Sequence, residues 1–361
     1  MKDFSLAIIG LGGMGNWHRE LINEGNWFGG KKLSGGGIKH LHVCGSFDIS
    51  EARQKFAKAH GLKAYSSMKE LLSDPSVDIV LVSVPNDLHK SIVIKALEAG
   101  KNVVCEKPVA LNSREFQAMI DASKKADRVF AVHQNRRWDE DYLSAKKIYD
   151  EKRLGEVFRI ESRVHGSRGI PGDWRGEKEH GGGMVLDWGV HILDQALQMI
   201  DGKVVKVNAN FTHVTNELVD DGFYAELFYD NGLVFLAEVG TSNFINLPRW
   251  YMLGRDGTAM IEDFSIKGKI VRIKNHNKND AIPIRTAAGL TKTMAPRTKE
   301  TIREEALPVI KSDVRDFYRN ILATIEGKEK LLVSLESVMR NMKLMEAIFR
   351  SAEKGAPVKF E

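Results

Sequence analysis

Three side chains in this sequence are of types that can polarise an oxygen or move a proton at neutral pH: Lys107, Asp187 and His191. Asp187 and His191 stand four apart in Gly-Gly-Gly-Met-Val-Leu-Asp-Trp-Gly-Val-His, residues 181–191. On a helix that spacing puts both on one face, about a turn apart. A histidine is poised to pass a proton near neutral pH. A carboxylate one turn away can orient it or hold a substrate hydroxyl. The same spacing also suits an Asp–His pair that only stabilises its own helix. Lys107 stands in the triplet Glu106-Lys107-Pro108. An ammonium beside a reacting oxygen can donate to it and lower its proton affinity. A solvated loop lysine is the other reading of that triplet.

Such groups need a scaffold, and residues 4–15 supply its first piece: Phe-Ser-Leu-Ala-Ile-Ile-Gly-Leu-Gly-Gly-Met-Gly. Residues 6–9 form an apolar run of the kind that makes a buried parallel strand. Gly10, Gly12 and Gly15 then give G-x-G-x-x-G, with Gly13 and Met14 inside the loop. The first glycine permits a tight turn, the second lets backbone approach a pyrophosphate, and the third lets the next helix pack close to the sheet. Phosphates would sit on the free N–H groups of that helix, residues 16–23.

Further strands end in polar residues. A second strand over 39–47 ends at Asp48, a carboxylate that can accept from adenosine ribose hydroxyls or cap the helix 50–60. Ser46 would instead face a 2′-phosphate in another register. Between them, residues 24–37 hold six glycines, Trp27, Phe28 and two lysines, a long connection read as a surface insertion, a loop near a cofactor or an oligomer contact. Strand 78–84 runs into Pro85-Asn86-Asp87 and a helix that includes His89; strand 102–105 runs into Glu106. After the helix 114–126 comes strand 129–132. Open parallel sheets bind ligands at such strand ends. This makes Pro85, Asn86, His89 and Glu106 candidate cofactor contacts beside the glycine loop.

The 361 residues suit two domains, with 43% hydrophobic and 28% charged residues typical of a soluble globular chain. A formal charge of +5 attracts anions weakly and implies no nucleic acid. Cys44 and Cys105 fall in apolar runs and read as buried thiols. The start shows no cleavable leader and no run nears 18 apolar residues, so a cytoplasmic setting without membrane contact is expected.

The first domain resembles the glucose–fructose oxidoreductase / inositol dehydrogenase / MocA-like family. The resemblance rests on the glycine motif, on Glu106-Lys107-Pro108 after Ala99-Gly100-Lys101, and on the segment 181–191, in the family's order. It covers nearly the whole chain. It implies an α/β fold: an N-terminal Rossmann domain, residues 1–132, and a C-terminal α+β domain, residues 133–361, with a large, mainly antiparallel open sheet. Helices 312–325 and 334–350 are expected to pack back near the first domain. It also implies that Lys107 lies at the nicotinamide and substrate hydroxyl, with Asp187 and His191 around the same carbinol. Pro108 in this position is often preceded by a cis bond in the family.

The second half adds substrate candidates. His133-Gln134-Asn135-Arg136-Arg137-Trp138 is either a polyol-binding wall or a solvated hinge, and its Asn-Arg-Arg-Trp-Asp resembles a subgroup that includes scyllo-inositol dehydrogenase-like enzymes. Asn135, Arg136, Arg168, Trp174, Arg175 and Trp188 join Asp187 and His191 as candidate substrate contacts. Short alternating strands follow at 205–213, 222–229, 233–240, 249–254 and 258–263, with Asp230-Asn231-Gly232 as a hairpin turn. Residues 275–296 read as a long polar loop.

The resemblance implies an NAD(P)-dependent oxidoreductase moving hydride between nicotinamide and a secondary alcohol of a sugar, glycoside or cyclitol. NAD is expected over NADP because of Asp48, and no metal is needed. The expected assembly is a homodimer or homotetramer through the open sheet. Two alternatives remain: an enzyme with retained NAD acting through a transient keto-sugar, and a non-catalytic redox sensor.

Overall fold

A computed structural model describes residues 2–25, 27–28, 31–32, 36–274, 276 and 281–361. The short apolar runs of the first third form a six-stranded sheet. Its spatial order is Lys63–Ala64, Leu41–Phe47, Phe4–Ile9, Ile79–Val82, Asn102–Cys105 and Phe130–Val132, and every pairing is parallel. Parallel strands need crossover helices, which bury both sheet faces. Leu6, Ile8, Val80, Leu81 and Val104 are accordingly fully buried. The order reverses between Phe4–Ile9 and Ile79–Val82, and that switch point is where an open α/β sheet leaves a crevice.

The glycine loop stands at this crevice. Gly10 has φ of +91°, a conformation that L side chains rarely adopt. Gly15, in the helix Gly13–Asn23, packs so tightly that a Cβ there would fall on the carbonyl oxygen of Gly10. Much of the 24–37 insertion lies outside the described residues. What is described pairs Trp27–Phe28 antiparallel with Lys31–Lys32.

The second sheet has nine strands, ordered Ile302–Glu305, Gly268–Ile273, Gly257–Ile261, Trp250–Gly254, Val157–His165, Val234–Gly240, Gly222–Tyr229, Val204–Thr212 and Val358–Lys359. One pair, Val157–His165 with Val234–Gly240, is parallel and the rest are antiparallel. Alternation buries one face: Phe223, Ala225 and Leu227 point inward, while Tyr224, Glu226 and Phe228 are only partly covered. The loop expected over 275–296 contains a small hairpin, Ile284–Thr286 with Gly289–Thr291; residues 275 and 277–280 lie outside the described set.

Two C-terminal helices touch the first sheet's surroundings. Arg315–Ile325 places the Tyr318 hydroxyl 2.7 Å from His18 Nδ1. Leu335–Lys354 brings Glu346 to the main-chain N–H of Ser113 at 2.6 Å. Among the described residues no helix is long and apolar enough to cross a membrane.

The Gly15 contact yields a direct test. Gly15→Ala must push the helix away from Gly10, an overpacking that costs about 1–3 kcal/mol. Urea denaturation of the purified variant should show that loss.

Candidate active site

Lys107 follows the strand Asn102–Cys105, and its bond to Pro108 is cis. Its Nζ donates to Asp187 Oδ1 and to the Asp187 carbonyl oxygen, both at 3.0 Å. Arg175 Nε stands 3.5 Å from the same Oδ1. Burial alone would raise the Asp187 carboxyl, but the charges of Lys107 and Arg175 outweigh it and hold the group below its ordinary range.

Asp187 lies in a π-helical turn, Val185–Gly189, that runs into the helix Val190–Met199 carrying His191. Such wide turns are frequent at functional sites. The expected Asp187–His191 pairing is absent: no hydrogen bond joins them among the described residues, because two cations draw the carboxylate the other way. His191 is buried and its Nδ1 has no hydrogen-bond partner. Burial first, then the Lys107 and Arg136 charges, push the imidazole well below its usual range. It is therefore neutral at neutral pH and able to accept a proton.

One wall is aromatic and cationic. The Arg136 guanidinium lies 4.1 Å from the Trp188 ring and 5.7 Å from that of Phe264. Asp139 holds it at 2.9 Å, and Trp188 meets His191 edge-on with centroids 5.8 Å apart. Asn135 Oδ1 and Arg136 Nε are buried without a hydrogen-bond partner. Arg175 also pairs with Asp173 at 2.7 Å and lies 4.6 Å from the Trp174 ring. Arg168 is exposed, and no hydrogen bond or ion pair ties it to this group among the described residues.

Sequence reasoning missed two residues here. Phe264 sits in a polar loop with no periodic signal. Asp220 anchors the π-turn: its Oδ2 accepts from Val185 N–H at 2.7 Å, and its carbonyl from Met184 N–H at 2.9 Å. Burial pushes its carboxyl up to about 7.

The cofactor candidates divide. At Gly12 an added Cβ would meet nothing within 4 Å, so the loop opens onto space over the uncapped start of the helix Gly13–Asn23. Gly13 is likewise open and Met14 is exposed. That cradle fits a pyrophosphate. Asp48, at the tip of its strand, accepts from Leu11 N–H at 2.7 Å and Ser50 N–H at 2.8 Å, tying the second strand to the glycine loop. Ser46 is buried, which leaves it no open face for a 2′-phosphate. Pro85 precedes a short 3-10 turn in which Asn86 Nδ2 donates to the Gly181 carbonyl at 2.9 Å. His89 and Glu106 are inside the protein rather than on the crevice. The His89 ring nitrogens stand 2.9 Å from the Pro108 and Val84 carbonyls, and Glu106 is bonded by His18 and His133.

Known proteins share both domains of this chain. An oxidoreductase family with an NAD-binding Rossmann fold matches residues 4–134, and the GFO/IDH/MocA C-terminal domain matches residues 142–260. The chain belongs to the Gfo/Idh/MocA oxidoreductase family. As a member of it, the chain is an NAD(P)-dependent oxidoreductase. The crystal structure of an NAD-binding protein from Listeria innocua is 44% identical, covers 100% of both chains and superposes with a TM-score of 0.93. Myo-inositol 2-dehydrogenase of Thermotoga maritima is 31% identical over 73% of this chain and 74% of its own. The NADP-dependent scyllo-inositol 2-dehydrogenase of Bacillus subtilis is 26% identical over 81% of this chain and 82% of its own.

Two outcomes follow for this Gfo/Idh/MocA chain. Gly12→Ala should leave unfolding free energy within about 0.5 kcal/mol, since the protein offers room. It should weaken NAD binding about tenfold, or about 1.4 kcal/mol, in a direct titration. Asp220 should make stability fall with rising pH. An aspartate raised from 3.8 to about 7 binds a proton in the folded state that the unfolded chain has already lost. Asp220→Asn keeps the accepting oxygen and cannot ionise. It should be more stable than the parent above pH 7 by up to about 4 kcal/mol, with the gap closing toward pH 4, as denaturant titrations across that window would read.

Proposed function

We propose that this protein transfers hydride between a secondary alcohol of a sugar, glycoside or cyclitol and a nicotinamide cofactor, with NAD preferred. The observation that carries the reading is the Lys107 ammonium held by Asp187 at 3.0 Å, with the buried, neutral His191 one turn further along.

The nicotinamide, when bound, supplies the acceptor or donor of hydride. The protein supplies placement and charge. Lys107 donates to the carbinol oxygen and stabilises the negative charge that develops there. His191 takes the hydroxyl proton, because the ring is neutral and its Nδ1 has no hydrogen-bond partner. Asp187 fixes Lys107 and accepts from a neighbouring hydroxyl. Asn135, Arg136, Trp174, Arg175 and Trp188 orient the ring, while Arg168 reaches it only from the exposed rim. Gly10, Gly12, Gly13, Met14 and Gly15 cradle the pyrophosphate, and Pro85 and Asn86 line the crevice beside it.

Asp48 supports the NAD preference, since its charge at the strand tip opposes a 2′-phosphate. Residues 1–132 hold the dinucleotide, and 133–361 supply the substrate wall and the subunit contact. The partly covered sheet face with Tyr224, Glu226 and Phe228 is the surface for a homodimer or homotetramer. The free thiols Cys44 and Cys105 fit a reducing cytoplasm.

The test is Lys107→Met, assayed with NAD and NADP against myo-inositol, scyllo-inositol, D-glucose and alkyl glucosides. NAD should bind the variant as it binds the parent, and more tightly than NADP binds either. Single-turnover reduction should fall roughly 10²–10³-fold, the loss typical of one donor to a developing oxyanion. Undiminished hydride transfer would overturn the reading.

A further inference from the structure

Behind the glycine loop runs a chain of buried polar groups that hydride transfer does not use. Glu106 Oε1 accepts from His18 Nε2 at 2.7 Å and from His133 Nδ1 at 2.8 Å. Glu106 Oε2 accepts from the main-chain N–H of Lys107 at 3.1 Å. On the far side the Tyr318 hydroxyl donates to His18 Nδ1 at 2.7 Å. His18, His133 and Tyr318 have no exposed surface, and Glu106 has 5%. Trp17 and Phe317 pack their rings against the two histidines. The four polar groups come from the helix after the glycine loop, the ends of two strands and the helix Arg315–Ile325. That last helix lies beyond residue 260, where the family match ends.

The donors and acceptors allow one arrangement at His18. An ionised Glu106 can only accept, so His18 gives it the Nε2 proton and keeps Nδ1 as the acceptor for Tyr318. Burial and the neighbouring His133 push the His18 imidazole down to about 4, against the pull of Glu106, so it stays neutral. Burial would raise the Glu106 carboxyl, but His133 and His18 outweigh it and hold it well below the ordinary range. Three ligand-type atoms lie close enough here to suggest a metal ion. The spacing decides otherwise. Separations of 2.7 and 2.8 Å are hydrogen bonds. Two ligands of one tetrahedral ion stand about 3.3 Å apart when each is about 2.0–2.1 Å from the metal.

We propose that Tyr318, His18 and His133 are positioning residues: they lock Glu106, and Glu106 through the Lys107 amide sets the root of the active-site lysine. The proposal rests on the reading of Lys107 given above. A lysine stem is long and flexible. Here its tip is held by Asp187 and its root by Glu106, so the ammonium has one place to be. Removing a donor leaves a buried carboxylate under-satisfied. The carboxylate then turns toward other partners and takes the Lys107 amide with it. A shift near 1 Å at a reacting group is worth about 10²-fold in rate. The helix Arg315–Ile325 thereby helps to position the lysine without touching substrate.

The test compares Tyr318→Phe, His18→Gln and His18→Leu with the parent and with Lys107→Met. Glutamine can put an N–H where the imidazole Nε2 stood; leucine cannot. In ¹⁵N-histidine NMR of the cofactor-free protein at neutral pH, the parent His18 should carry its proton on Nε2, and Tyr318→Phe should shift the Nδ1 resonance, which loses its hydrogen-bond donor. NAD affinity should be unchanged in all variants. Single-turnover NADH formation, with whichever polyol of the panel the parent oxidises fastest, should fall about tenfold or more in Tyr318→Phe and His18→Leu. His18→Gln should recover most of it. Parent-like rates in Tyr318→Phe, equal losses in His18→Gln and His18→Leu, or stoichiometric metal in the purified protein would each overturn the proposal. If His18→Leu does not fold, Tyr318→Phe decides, since it removes one oxygen atom. Hydride transfer surviving in Lys107→Met would instead sink the active-site reading itself. Loss in Lys107→Met alone would sink only the positioning role.

Discussion

The Lys107–Asp187 pair joins the end of the parallel sheet to the π-turn 80 residues later. Arg175, 3.5 Å from the same carboxylate oxygen, is the second cation on Asp187. Lys107 stands just past the end of the strand Asn102–Cys105, and the Asp187 carbonyl also accepts from the same ammonium. Their side chains are 16% and 19% exposed, so water screens the pair little and stranding either charge would be unfavourable.

Around that pair the charges are matched in number but not in their distance from His191. Lys107, Arg136 and Arg175 surround the pocket, while Asp139, Asp173 and Asp187 each answer one of them. Burial first, and then the Lys107 and Arg136 charges beside it, hold the His191 imidazole unprotonated. One arrangement therefore supplies an electrophilic ammonium from the end of the first sheet and a neutral imidazole from the helix after the π-turn, as opposed environments are known to do for paired titratable groups. Asp220 supports the same turn from below through main-chain hydrogen bonds, so the placement of Asp187 and His191 depends on a carboxyl that touches neither.

Much of the architecture was legible from short-range pattern. The apolar run before Gly10, the glycine spacing and the alternation over 204–240 each report backbone geometry within a few residues. The observed strands Val204–Thr212, Gly222–Tyr229 and Val234–Gly240 begin and end within a residue of their expected limits. The strand Gly268–Ile273 and its neighbour, the edge strand Ile302–Glu305, were harder to read, because they carry lysines and arginines and flank a long polar loop.

The sequence by itself determined which residues have the right chemistry and which local elements carry them: Lys107 after a strand, Asp187 and His191 on one helical stretch, Gly12 at a helix start. Tertiary structure decided their partners. Asp187 turned to Lys107 and Arg175 rather than to His191, Asp48 took the Leu11 amide, and Glu106 went inward to His18 and His133. Phe264 reached Arg136 from a loop 128 positions away in numbering, with no periodic signal to mark it. The physical reason is range. Helix and strand propensities act over a few bonds and leave periods in the sequence. Ion pairs, buried hydrogen bonds and ring contacts are set by where two sheets pack, and no local pattern encodes that distance.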